Sequence, residues 1–260
     1  MLTRRAALGT LGVLAITALF GCTETPDRKT YVSPYNWGRL RYTDERLIYT
    51  EENATSQWGI DVSEHQHTID WKAVATANVE FAFVRIGNRG ATAGALDVDD
   101  RFMENAVGAR RANILTSGYF FSQAITEAEA REEAFFALEH VRQAEDAGAF
   151  FRAIAYDHER VNVEGARAND LSNEQLSKNT ITFCNIIEEA GYEPLIYGNK
   201  RDLLRLDEAT RQAYPVWFAE YDVDEPTAPF DFLIWQYSNA GVIPGISTRV
   251  DLNIWLPPAP

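Results

Sequence analysis

From Trp58 onward, short apolar runs of strand length alternate with helical patterns so regularly that few folds remain open to the chain. Residues 58–62 read as a strand and 70–78 as a short helix with Ile69, Trp71, Val74 and Ala75 on one side. Residues 81–86 form a second strand, 100–113 a helix and 114–121 a third strand. A long helix over 126–147 is entered by Thr126-Glu127-Ala128-Glu129, the spacing of a capping box. Residues 153–157 are a fourth strand, 172–190 a helix closed by Gly191, and 194–197 a fifth strand. After that the helices shrink to a turn or two near 199–204. Strands at 216–221, 232–237 and around Val250-Asp251 follow with little between them. Five βα units and three nearly bare strands make eight, which predicts an α/β chain closed as a TIM-like barrel over 58–256, irregular in its second half.

The amino end has a different character. Arg4-Arg5 precede an uncharged apolar run from Ala6 to Phe20, too short to span a bilayer as a mature helix and laid out as a signal peptide over 1–22. Leu19-Phe20-Gly21-Cys22 resembles the lipobox of bacterial lipoproteins, which implies a lipidated Cys22, export, and attachment to the outer face of the membrane. Residues 23–57 are polar and carry no long apolar period. They read as a linker, with Leu40-Arg41-Tyr42 and Leu47-Ile48-Tyr49 able to pair as a small hairpin. Cys184 is the only other cysteine and sits among Ile181, Phe183, Ile186 and Ile187 as a small buried hydrophobe. The formal charge is −14, and −16 without residues 1–21, which hold only Arg4 and Arg5. So acidic a surface, with no basic cluster, argues against nucleic acid as a partner.

Candidate chemistry concentrates where a barrel of this kind keeps it, at the strand ends. The fourth strand, Ala153-Ile154-Ala155-Tyr156-Asp157, runs on into His158-Glu159. Side chains alternate along a strand, so Asp157 and Glu159 share one face and His158 takes the other. Two like charges in one small volume push one pKa up and leave a protonated acid near neutral pH, as glycosidic bond cleavage requires. Asp61 closes the first strand, and Asp251 is placed at the end of the eighth. Tyr119, Tyr197, Trp217, Tyr221, Trp235 and Tyr237 lie at or near strand ends, where ring faces suit sugars; Trp217 and Trp235 suit a barrel core equally well.

In order along the chain stand Gly59-Ile60-Asp61-Val62-Ser63-Glu64-His65-Gln66, Ile69-Asp70-Trp71, Phe81-Ala82-Phe83-Val84-Arg85, Gly118-Tyr119, Asp157-His158-Glu159, Ile196-Tyr197, Trp217-Phe218-Ala219-Glu220-Tyr221, Trp235-Gln236-Tyr237 and Val250-Asp251-Leu252-Asn253. This ordered set resembles glycoside hydrolase family 25, the N-acetylmuramidases that cleave peptidoglycan. The resemblance implies a flattened (β/α)5(β)3 barrel, peptidoglycan glycan strands as substrate, and no cofactor or metal. It puts the general acid on Glu159, its partner acid on Asp157, and two further active-site acids on Asp61 and Asp251. His67 stands where that family commonly has Gly.

Three rival readings are weaker. Family 18 chitinases carry a longer acid series on the fourth strand, whereas Ala153, Ala155 and Tyr156 precede Asp157 here. His65-Gln66-His67 offers two imidazoles, but the chain has only four histidines and no His-Glu-x-x-His. A non-catalytic or weakly catalytic glycan-binding lipoprotein would not need a protonated acid beside a second one.

Overall fold

The structure, a computed structural model, describes residues 31–43 and 46–258. The expected signal peptide and Cys22 lie outside those residues. Val32–Pro260 is one compact unit.

In chain order the strands and helices are β1 (Leu40–Thr43), β2 (Arg46–Tyr49), β3 (Gln57–Val62), α1 (Trp71–Thr76), β4 (Phe81–Arg89), β5 (Leu96–Val98), α2 (Phe102–Arg111), β6 (Leu115–Phe121), α3 (Glu127–Asp146) and β7 (Ala153–Asp157). They continue with α4 (Asn173–Glu189), β8 (Glu193–Asn199), α5 (Lys200–Leu203), α6 (Glu208–Ala213), β9 (Val216–Ala219), β10 (Ile234–Gly241) and β11 (Val250–Trp255). Strands β3, β4, β6, β7, β8, β9 and β10 pair in parallel. The last strand, β11, runs antiparallel to both β10 and β3 and closes an eight-stranded barrel. Five βα units precede three bare strands, as the alternation of the sequence predicts.

Helix starts follow local chemistry. Thr126 Oγ1 accepts from the Glu129 amide at 3.2 Å, and the Glu129 carboxylate accepts from the Ile125 amide at 2.9 Å, so the expected capping box reaches one residue further back. Ser172 caps α4 on the Gln175 amide at 3.1 Å. Helix α6 was not expected; Asp207 caps it through the Thr210 amide at 2.8 Å.

Period-two alternation splits the core into two layers. One face of the strands, with Phe81, Phe83, Ala153, Ala155, Leu195, Trp217, Ile234 and Trp255, fills the barrel. The other face, with Ile60, Val84, Tyr156 and Phe218, packs outward against the helices in a larger cluster. Inside, Phe83 stacks on Trp217 with centroids 4.1 Å apart, and on Trp255 at 6.1 Å. Ala153 and Ala155 on β7 leave room for rings from β4, β9 and β11, so small faces large across the interior.

The expected linker differs in its second half. The β1–β2 hairpin forms, but Leu47 and Tyr49 are fully buried and belong to the same cluster as the barrel's outer face. The Tyr35 hydroxyl donates to the Pro257 carbonyl at 2.9 Å, and the Leu47 amide donates to Tyr237 Oη at 3.3 Å. From Val32 on, this stretch is therefore part of the compact unit. The polar composition concealed it because only alternate residues of a four-residue strand are buried.

Gly59, on the barrel face of β3, sits opposite Phe81 on β4. A Cβ there would stand 2.5 Å from both the Phe81 ring and its carbonyl oxygen. Gly59→Ala is expected to destabilise the protein by about 1–3 kcal/mol, because backbone cannot move aside as a side-chain tip can. An unchanged midpoint in chemical denaturation would refute this.

Candidate active site

Strand β7 is entirely buried and delivers Asp157 to the mouth of the barrel, where the chain leaves the sheet and carries Glu159 out over the opening. The departing backbone is held by the segment after β6. Ser122 N donates to the Asp157 carbonyl at 2.7 Å, and Gln123 Nε2 donates to the Glu159 carbonyl at 2.9 Å. His158 points away from the mouth and is buried, its Nδ1–H directed at the Ser122 carbonyl at 3.2 Å. Burial, aided by nearby Arg205, lowers His158 to about 4, so it is a neutral strut.

Behind that segment Glu133 of α3, without exposed surface, accepts from Ser122 Oγ at 2.6 Å, Arg89 Nε at 2.8 Å and the Gln123 amide at 3.3 Å. Burial pushes Glu133 up to about 7 against the pull of these donors.

The mouth encloses a cavity of about 230 Å³ lined by Asp61, Asp157, Glu159 and Asp251, with Arg85, Tyr119, Tyr197, Trp217 and Gln236 among the other walls. All four acids expected from the sequence converge there. Asp251, however, begins its strand instead of ending it. It reaches the mouth because β11 runs against its neighbours, and it pairs in register with Asp61.

The acids form two carboxyl pairs. Asp251 is pushed up to about 8 by burial and by the charge of Asp61, to which it is hydrogen-bonded. Asp61 is itself raised, chiefly by burial, although its Oδ2 accepts from Gln236 Nε2 at 2.7 Å and Asn253 Nδ2 at 2.8 Å and these donors oppose the shift. Their shared hydrogen bond lowers Asp61 and raises Asp251, so within the pair it favours a proton on Asp251. Asp157 and Glu159 are both raised, each chiefly by burial, and share a hydrogen bond that raises Asp157 and lowers Glu159. The next contribution is the charge of Glu159 at Asp157, but that of buried Asp202 at Glu159. Repulsion between the two, the cause expected from the sequence, ranks behind burial.

One cation faces the acids within this lining. Arg85 projects from β4, donating to Asp99 Oδ2 and Glu64 Oε1, both at 2.7 Å.

The sequence profile of the glycosyl hydrolases family 25 matches residues 60–246. The chain belongs to this family. It is similar to Lysozyme M1 of Streptomyces globisporus, 29% identical over 225 residues, which cover 81% of this chain and 71% of that protein. Among solved structures, the barrel is similar to the modular autolysin LytC of Streptococcus pneumoniae in complex with a synthetic peptidoglycan ligand. The TM-score is 0.69 at 23% identity over 84% of this chain and 52% of LytC, so the chain spans about half of that protein. The bacterial lysozyme of Streptomyces coelicolor gives a TM-score of 0.63 at 24% identity, covering 79% of this chain and 94% of that one. As a family 25 member, the chain is a glycoside hydrolase.

Within this family 25 site the aromatic residues divide. Tyr197 and Tyr221 donate their hydroxyls to Gln236 Oε1 at 2.7 and 2.5 Å, which turns the Gln236 amide so that its NH₂ meets Asp61. Trp217 Nε1 donates to Asn253 Oδ1 at 2.8 Å and orients the second amide the same way. Trp217 is 1% exposed, so it is floor and orienting group, not an open sugar platform. Trp235 and Tyr237, expected at the substrate face, lie on the outer face of β10. Trp235 Nε1 donates to the Glu220 carbonyl at 2.9 Å, and Tyr237 Oη accepts from Trp58 Nε1 at 2.7 Å. The inward residue of that triplet is Gln236.

Gln236, Asn253 and Arg85 were not singled out from the sequence. Two-residue steps along each strand, from Asp251 to Asn253 and from Phe83 to Arg85, would have found the last two. At His67 the chain takes φ +56°, a backbone conformation favouring the Gly that the family commonly has there.

A carboxyl raised in the folded state stabilises the fold below its unfolded pKa, and that stability is lost as pH rises through the folded value. Asp251, raised from 3.8 to about 8, therefore costs stability between about pH 4 and 8. In Asp251→Asn, which cannot ionise, the fall of Tm across this window is expected to be shallower. Parallel Tm–pH curves for variant and wild type would exclude this.

Proposed function

We propose that the protein hydrolyses the β-1,4 bond between N-acetylmuramic acid and N-acetylglucosamine in peptidoglycan, with Glu159 as general acid. The observation that carries this is the pairing of carboxyls in one mouth: Asp157–Glu159 on one side holds a transferable proton, and Asp61–Asp251 on the other holds a fixed charge. The kinship with Lysozyme M1 and the peptidoglycan ligand of LytC support the substrate.

Glu159 passes the proton it shares with Asp157 to the glycosidic oxygen as the bond to the anomeric carbon breaks, and the water that completes the second step returns a proton to the pair. The positive charge on the sugar is met by the substrate's own N-acetyl oxygen, which bonds to the anomeric carbon and is later displaced by water. Asp61, kept ionised by Gln236 and Asn253, accepts the N-acetyl N–H and stabilises the charge that develops on it. This route retains the anomeric configuration. A glycan-binding lipoprotein without turnover is the second reading, but a pure binder gains nothing from two proton-sharing pairs.

Glu159→Gln preserves shape and removes the transferable proton. Turnover of purified peptidoglycan, followed as new reducing ends, is expected to fall by about 10²–10⁴-fold with binding retained. Turnover within a few-fold of wild type would remove Glu159 from this role.

We further propose that the protein is exported and anchored through lipidated Cys22, a residue outside the described ones. Mass spectrometry of the mature amino-terminal peptide is expected to find acylated Cys22; a chain starting elsewhere with Cys22 unmodified would end the idea.

A further inference from the structure

The rim that carries the acids has a second side. Three site residues, Tyr221, Gln236 and Asp251, are each followed in the chain by a residue that lines another cavity, of about 440 Å³: Asp222, Tyr237 and Leu252. Alternation along β10 and β11 turns Gln236 and Asp251 into the barrel and Tyr237 and Leu252 out of it, so the two cavities lie on opposite faces of one wall. Strand β10 carries on past Gln236 through Ser238 to Gly241, paired with Leu252 and Val250, and forms the lip between them.

The amino-terminal hairpin, which precedes the stretch matched by the family profile, contributes Tyr42 to this cavity's lining. Tyr42 of β1 stands edge-on to Tyr237 at 6.3 Å and 78°, yet remains 57% exposed, so one ring face is open to the cavity. Asp222 and Asp224 border the same space, and neither makes an ion pair or side-chain hydrogen bond among the described residues. An open aromatic face beside uncommitted acceptors suits a ring with an apolar C–H face and a margin of O–H and N–H donors. Two unneutralised carboxylates disfavour an anionic ring.

We propose that this cavity is a second saccharide site, which takes a neutral N-acetylhexosamine ring of the glycan strand after the strand leaves the mouth over the β10 lip. The proposal rests on the muramidase reading. It makes the hairpin a determinant of chain length: long strands engage both cavities, short fragments only the first.

The test compares Tyr42→Ala with wild type on polymeric peptidoglycan and on a disaccharide-repeat tetramer. Binding of tri-N-acetylchitotriose is measured alongside by calorimetry. KM for the polymer is expected to rise roughly tenfold in Tyr42→Ala with kcat and tetramer turnover unchanged, and Tyr42→Trp to restore it. Equal KM values on the polymer, or a matching loss on the tetramer with lowered Tm, would overturn the proposal, the second by giving Tyr42 a purely structural role. If wild type cleaves neither substrate, the muramidase reading fails; chitotriose binding that still depends on Tyr42 would uphold the second site, and binding indifferent to Tyr42 would sink it as well.

Discussion

Glu133 is a carboxylate with no exposed surface, and the mouth of the barrel hangs from it. Through Arg89 it is tied to β4, through its own helix to α3, and through Ser122 and Gln123 to the backbone that carries Asp157, His158 and Glu159. Arg89 is equally committed, donating also to the Gly94 and Glu129 carbonyls at 2.7 and 3.0 Å. Burying such a pair is costly, and removing one partner alone costs about 3–5 kcal/mol because the other charge is stranded. What the arrangement supplies is a fixed exit angle for a strand that must stop inside the sheet's hydrogen-bond ladder and still present its next acid at a set depth. The contacts to residues 157–159 are made by an amide N–H, a carbonyl and a side-chain amide, so the acid's position depends on the backbone of residues 122–123 and on the Gln123 side chain.

Much of this architecture was legible in the sequence, and the exceptions have a common origin. The eight strands and the long helices show in the periodicity, because a strand buried on both faces, such as β7 up to Tyr156, has to be apolar along its length. The four acids show because they stand at the ends of such runs. Period alone is silent on direction and on face. A strand running backwards shows the same apolar pattern as one running forwards, so Asp251 was assigned to a strand end when it is a strand beginning. Trp235 and Tyr237 look like sugar platforms in composition, yet their separation from Gln236 by one residue turns them outward. The hairpin was hidden for a third reason: it buries Leu47 and Tyr49 through tertiary contact with the barrel, and four-residue strands are too short to announce an amphipathic face.

The orienting layer around Asp61 was the least legible part, since nothing local marks it. Tyr197 on β8, Trp217 on β9 and Tyr221 just beyond β9 act on amides from two further strands. An amide has a donor end and an acceptor end, and only the second-tier hydrogen bonds decide which faces the carboxylate. With both oxygens of Gln236 and Asn253 committed to tyrosine and tryptophan donors, both NH₂ groups must face Asp61. In this way aromatic residues that read as binding surface orient two amides whose donors oppose the rise that burial imposes on Asp61.

The overall charge of −14 contributes little to the state of the site, since exposed charges are screened over about 10 Å at ordinary ionic strength. Burial decides which protons stay. That has a consequence for the proposed reaction, because a sugar entering the mouth displaces water and deepens the burial of Glu159. Burial is already the largest cause raising that carboxyl, so substrate binding pushes its pKa further up and strengthens its hold on the proton until the glycosidic oxygen accepts it. Departure of the leaving sugar readmits water on the same side, and hydration then favours the ionised form that a base for the second step requires. Asp61 follows the opposite course: its two amide donors are built into the wall and are not displaced by substrate, so its charge persists while that of Glu159 switches. One mouth thus holds an acid whose state follows the water and an anion whose state does not.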